Sequence, residues 1–310
     1  TYSWQDIWLN EGFATHLAAM HMENTYPATI YTMRRNVINN ITSVAGGSVK
    51  VEDTTNINLI FSGRLSYNKG SYLVYMLRFV LGDVVFFKAI NNYLKDPALA
   101  YGFARTTDLK KHLEQESGKD LTKFFSQWYE GQGYPSYNVQ WSMLGSSHVN
   151  IKMNQTTSHS SVAFFEMPVA LKFKNATQEK TVVVNNTYNG QQFLEQLSFV
   201  PDTVLVDPEY WIISKNNSTQ RISANNTGQS IVDVYPNPAT NPLTIFLHDF
   251  NAGTAEIQIS NTAGQLMYKR SVALFNGAEL LSINMQNWAR GAYMIRVLAA
   301  DKKIVKQVIR

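Results

Sequence analysis

Apolar side chains recur at helical spacing over residues 1–135 and alternate at a period of two from Tyr137 onward. Near the start, a helix through Trp8–Thr15 would place Trp4, Ile7, Trp8, Glu11, Ala14, Thr15, Ala18 and Met22 on one face. Leu9, Phe13, Leu17 and Met20 would cover the opposite face, with Gln5, Gly12, His16 and Glu23 between. Such a helix is expected to be buried on most sides, with Glu11 inside an apolar stripe. An ionised carboxylate there costs several kcal/mol unless a cation or hydrogen-bond donors meet it. Glu11 therefore needs a partner.

Pro27 opens a segment around 28–44, Gly46-Gly47 breaks it, and a polar stretch runs through Asn58. Tyr67 to Leu81 reads as a second buried helix. Asp83 can cap a third, carrying Val84, Phe87, Ile90, Asn91 and Leu94. Thr106 or Thr107 starts another, which Gly118 stops. Asp120 caps the last, with Leu121, Phe124, Phe125 and Trp128, ending at Gly131, Gly133 and Pro135.

Beyond it, 137–141, 148–153, 167–173, 180–184 and 203–206 read as strands divided by Asn- and Ser-rich turns. They predict an antiparallel sandwich. Residues 214–230 hold almost nothing to bury and read as an exposed linker. Strand patterns return around 243–245, 256–259, 291–297 and 302–305, predicting a second sandwich of seven or eight strands. The fold class is multidomain α+β: helices over 1–135, a β-sandwich over 136–213, a linker over 214–230 and an Ig-like β-sandwich over 231–310.

A chain of 310 residues, 45% hydrophobic, suits two or three domains, and no apolar run approaches the roughly 18 residues of a membrane span. Cysteine is absent, which excludes disulfides and thiolate nucleophiles and is compatible with an exported bacterial protein. A net charge of +4 is too weak a field to argue for nucleic acid. None of the six histidines is followed by Glu, and His16 and His21, five apart, would lie on different helix faces.

Trp8-Leu9-Asn10-Glu11-Gly12-Phe13-Ala14-Thr15 resembles the third-ligand helix of the gluzincin (M1) metallo-aminopeptidases, the family of aminopeptidase N and leukotriene A4 hydrolase. Ser66-Tyr67-Asn68-Lys69-Gly70 resembles that family's Tyr-Glu-Lys-Gly motif, with Asn68 in place of the usual Glu. Phe125-Ser126-Gln127-Trp128 and Gly133-Tyr134-Pro135 resemble the end of its catalytic domain. The resemblance implies that residues 1–135 are the helical remainder of a zincin catalytic domain. It implies that Glu11 is a zinc ligand and that Tyr67 is catalytic, its phenol stabilising the oxyanion of peptide hydrolysis. Lys69 and Gly70 are assigned to packing, Lys69 pairing a carboxylate, and Asn10 is a neighbour able to orient Glu11. Met22-Glu23-Asn24 matches part of an amine-anchoring motif, but at the wrong place in the order, and reads as coincidence. His148 and His159 read as isolated, solvated histidines.

No His-Glu-x-x-His occurs, although the family's two histidines lie about twenty residues before the glutamate. The expectation is therefore that the chain is a fragment, inactive alone and not binding zinc by itself, of a parent that is a zinc aminopeptidase.

The stretch 231–310 resembles the C-terminal sorting domain of the type IX secretion system. It has a Tyr-Pro-Asn-Pro start, an Asn-x-x-Gly-Gln hairpin, a Gly-x-Tyr strand and a basic last strand. This implies a protein secreted or held at the surface of a Gram-negative bacterium. The implied partners are peptides or proteins with a free N-terminus and the outer-membrane secretion machinery, with no nucleic acid and no transmembrane segment. The alternative is a secreted, non-catalytic peptidase-like binding or adhesion protein.

Overall fold

The structure, a computed structural model, describes residues 1–144, 148–222, 231–248, 250–251, 253–274, 279–300 and 302–310. Its helical part comprises α1 (Trp8–Thr25), α2 (Ile30–Ile41), α3 (Ile57–Ile60), α4 (Gly70–Leu81), α5 (Asp83–Lys95), α6 (Thr106–Ser117) and α7 (Thr122–Phe125). Two π-helical segments interrupt the regular winding: Gly63–Lys69 leads into α4, and Ser126–Glu130 follows α7.

The buried line of α1 is Trp8, Gly12 and His16, four residues apart. This corrects the expected burial on most sides, because Ala14 and Ala18 are exposed, Leu17 is 61% exposed, and Glu11 is only half-buried. The helix packs along this Trp8–Gly12–His16 line, with its glycine at the closest approach. A Cβ on Gly12 would stand 2.8 Å from the backbone carbon of Gly70, and one on Gly70 would stand 3.0 Å from the Trp8 Cβ. The two glycines thus let α1 and α4 meet backbone to backbone.

Trp8 anchors this crossing. Its indole N–H donates to Thr106 Oγ1 at 2.9 Å, and Thr106 in turn donates its hydroxyl (2.6 Å) and N–H (3.2 Å) to buried Asp6. The Tyr129 hydroxyl also donates to Asp6. Lys69, 1% exposed, donates to the carbonyls of Gly47 and Gly131 at 2.8 and 3.4 Å, tying two loops to the start of α4. Its expected carboxylate partner is replaced by these carbonyls. Burial, reinforced by Arg64, lowers the ammonium to about 7.

The first β unit has two sheets, ordered β5-β2-β1-β7 and β4-β3-β6. Its strands are β1 (Pro135–Leu144), β2 (His148–Thr157), β3 (Met167–Lys174), β4 (Glu179–Asn186), β5 (Gln191–Gln196), β6 (Thr203–Val206) and β7 (Ser218–Arg221). All pairs are antiparallel except β1 with β7, where Asn138 faces Ser218 and Trp141 faces Arg221 in parallel register. Residues 214–222, expected as exposed linker, therefore include a strand, held partly by Asn217, which accepts the Tyr137 N–H on its side chain. Polar side chains alone hid it, since an edge strand needs only backbone partners. The rest of that expected linker, 223–230, lies outside the described residues.

One continuous core runs from the helices into this unit. Trp211 stacks on Tyr75 (4.5 Å between ring centres) and on Phe79 (5.2 Å), and Trp128 packs on Phe165.

The last unit carries β8 (Ile231–Tyr235), β9 (Leu243–His248), β10 (Gly253–Asn261), β11 (Leu266–Leu274), β12 (Glu279–Ile283), β13 (Ala292–Ala299) and β14 (Lys302–Ile309). Sheets β11-β10-β13-β14 and β12-β9-β8 enclose a second, separate core around Ile257, Ile259, Ile295 and Val297. The α+β architecture of helices followed by two β-sandwiches is thus the observed one. No helix among the described residues is long and apolar enough to cross a membrane.

Candidate active site

Glu11 sits in the first turn of α1, where the helix dipole favours a carboxylate. Thr15, one turn on, returns its hydroxyl to the Glu11 carbonyl at 2.6 Å. Tyr67 lies in the π-helical segment just before α4, a form of backbone that recurs at functional sites. The Gly12–Gly70 contact closes the gap between the two helices and brings the Tyr67 phenol close enough to the Glu11 carboxylate to feel its charge. Desolvation first, then the neighbouring Glu11 carboxylate, raise the phenol above its ordinary range. The two residues singled out in sequence, 56 positions apart, meet at one point.

Their neighbours are placed differently from expectation. Asn10 is exposed. Asn68, which stands where the family carries Glu, donates its amide to Asn40 of α2 at 2.8 Å. Glu23 pairs with Arg34 at 2.7 Å and lies 3.7 Å from Arg78, so this glutamate is structural here.

The histidines lie elsewhere. His112 pairs with Asp96, His248 with Asp233, and His159 with Ser161. His148, expected to be solvated, is half-buried against Phe246, and burial lowers its pKa. Among the described residues no three His, Asp or Glu side chains gather where a metal could be held. The donor set offered by this chain is one carboxylate, suited to be a single oxygen ligand, beside one phenol donor. It fits part of a zinc site and not a whole one.

Sequence reasoning missed His16. It was placed in a polar sector, yet it is 3% exposed and lies on the buried Trp8–Gly12 line. Burial, with Arg78 and Arg34 adding, lowers it to about 4, so its imidazole is neutral. The spacing of four from Gly12 was the available signal.

Comparison with known proteins bears on this geometry. Residues 1–128 match the Peptidase family M1 domain. The helical part of this chain is thus similar to peptidase family M1. Residues 233–310 match the Secretion system C-terminal sorting domain. Aminopeptidase 2 of Candida albicans is 30% identical over 160 residues, 49% of this chain and 17% of that protein. Aminopeptidase N of Lactococcus lactis is 26% identical over 247 residues, 74% of this chain and 26% of its own length. The alanine/arginine aminopeptidase of Saccharomyces cerevisiae is 32% identical over 145 residues, 44% of this chain and 17% of its own length. The chain therefore spans between 17% and 26% of these relatives.

Proposed function

We propose that this chain is part of a secreted zinc-dependent aminopeptidase, in which Glu11 is one metal ligand and Tyr67 the oxyanion donor. The observation that carries the reading is the proximity of the Tyr67 phenol to the Glu11 carboxylate across the Gly12–Gly70 crossing. Zinc, when bound, supplies Lewis-acid polarisation of a peptide carbonyl and of water. This chain's part is to present one carboxylate oxygen on a rigid helix and to aim a phenol O–H at the place where negative charge develops. A phenol pre-aimed in this way costs no reorganisation during reaction, and loss of such a donor costs about 10²–10³ in rate. The chain by itself lacks the remaining ligands and the base, and is inactive on this reading.

The units 1–135, 136–213 and 231–310 are then catalytic remainder, accessory sandwich and sorting domain. The last directs export through the type IX machinery of a Gram-negative bacterium, leaving the peptidase outside the cell to act on peptides with a free N-terminus.

Hydrolysis of aminoacyl anilides by the complete protein, with and without chelator, tests the reading. Chelator-sensitive activity is expected, abolished in Glu11→Ala and reduced about 10²–10³-fold in kcat in Tyr67→Phe. A folded, zinc-free and inactive complete protein would overturn the reading and leave a peptidase-like surface binding protein in its place.

A further inference from the structure

Behind the Glu11–Tyr67 pair, where α1, α2 and α4 converge, lies a cavity of about 70 Å³. It begins one helical turn along each helix from the pair: Thr15 is four residues from Glu11, and Ser71 four from Tyr67. Ala19, Ile30, Met33 and Val37 give it apolar walls. Two buried polar atoms on its lining have no hydrogen-bond partner, His16 Nε2 and the Tyr75 hydroxyl. Leaving a buried polar atom unmet costs about 1–3 kcal/mol, so two on one cavity mark a place where a guest completes the bonding.

The charges around the cavity define that guest. Arg34 spends Nε and Nη2 on Glu23 and Nη1 on the Glu209 carbonyl, while its guanidinium lies over the Tyr75 ring at 4.3 Å. Glu23 is spent on Arg34 and Arg78. Among the described residues lining the cavity, no free charge is left to receive an anion or a cation. His16 and Tyr75 are themselves neutral, each offering one hydrogen-bonding atom. The volume matches a side chain of three or four heavy atoms.

We infer that this cavity is a binding site for a short, neutral, hydrogen-bonding side chain, of asparagine or threonine type, on a peptide bound beside the Glu11–Tyr67 pair. The identity of the occupant as a peptide rests on the reading of Glu11 and Tyr67 as a reaction centre, whereas the preference for a neutral amide or hydroxyl rests on the cavity alone.

The test uses the 310-residue chain, metal-free, with ¹⁵N-labelled imidazoles, titrated with acetamide and ethanol (the asparagine and threonine side-chain analogues) and with acetate and methylammonium as charged counterparts. A saturable shift of the His16 ring nitrogens with acetamide or ethanol is expected. It should weaken at least tenfold in Tyr75→Phe, which deletes the hydroxyl and keeps the ring on Trp211, and acetate and methylammonium should not compete. No saturable shift with either neutral probe, an equal response to acetate, or an unchanged response in Tyr75→Phe would overturn the assignment. Because no metal or turnover enters, failure here is separate from failure of the peptidase reading, which the chelator and Glu11→Ala measurements decide.

Discussion

At the scale of single residues, the site is a matter of two acidic protons and what holds them. The Tyr67 phenol sits above its ordinary range first through desolvation and then through the neighbouring Glu11 carboxylate. In ¹³Cζ-tyrosine NMR, Glu11→Gln removes the negative neighbour, and the Tyr67 titration should move to lower pH while the other tyrosines stay in place. His16 works in the opposite sense. Its folded value of about 4 lies below the unfolded value of 6.5, so the unfolded chain binds more protons between them. Stability from this residue is complete above the unfolded value and is lost as pH falls toward 4. The difference in unfolding free energy between the native chain and His16→Phe should shrink by about 3 kcal/mol from pH 7 to pH 4, read from urea melts. Buried Asp207 slopes the other way. Burial raises its carboxyl to about 7, against the pull of the Ile212 and Trp211 N–H groups, so its contribution falls as pH rises through that value. The variant comparison cancels it. Glu11 and Tyr67 were legible in sequence because each stands inside a short ordered motif. His16 was not, because a lone polar residue on a helix carries no mark of burial until the packing line is known.

At the scale of elements, the crossing of α1 over α4 decides whether those side chains meet. Gly12→Ala places a methyl 2.8 Å from the Gly70 backbone, which cannot rotate out of the way. The expected result is destabilisation of about 1–3 kcal/mol, and on thermal melting a lower midpoint. In the same NMR titration the Tyr67 phenol should return toward its free value as α1 and α4 part. Most elements follow from period and caps. Gly118 ends α6 with φ of 67°, and the strands named from the alternating pattern appear where it places them, whereas β5, β8, β11 and β12 were not singled out. The π-helical entry to α4 and the strand β7 were not legible. The first depends on backbone bonds that no side-chain period encodes. The second is a polar edge, with all four residues exposed, that gains its pairing from β1 rather than from burial.

At the scale of the whole molecule, the described residues form two large cores and one seam. The helices share a core with the first sandwich, clasped by Trp211 between α2 and α4, while the last sandwich keeps its own. Calorimetry should therefore resolve two transitions. A chain ending at Ile222 should keep the helical transition within a few degrees and lose the other. Trp211→Ala should lower the first transition and leave the second where it was.

The parallel pairing of β7 with β1 has a mechanical consequence. The chain enters β1 from the helices and leaves β7 toward the last sandwich, so tension between the two ends pulls parallel neighbours in opposite directions along their length. The bonds from Tyr137 to Ile222 are then loaded together in shear, instead of being unzipped one at a time. Tension between the two ends therefore meets a four-residue clasp loaded in shear in series with the helical core and the last sandwich. Single-molecule stretching should show the last sandwich yielding separately from a distinct peak at the clasp. Ser218→Pro, which blocks an N–H in that strand, should lower the clasp peak alone.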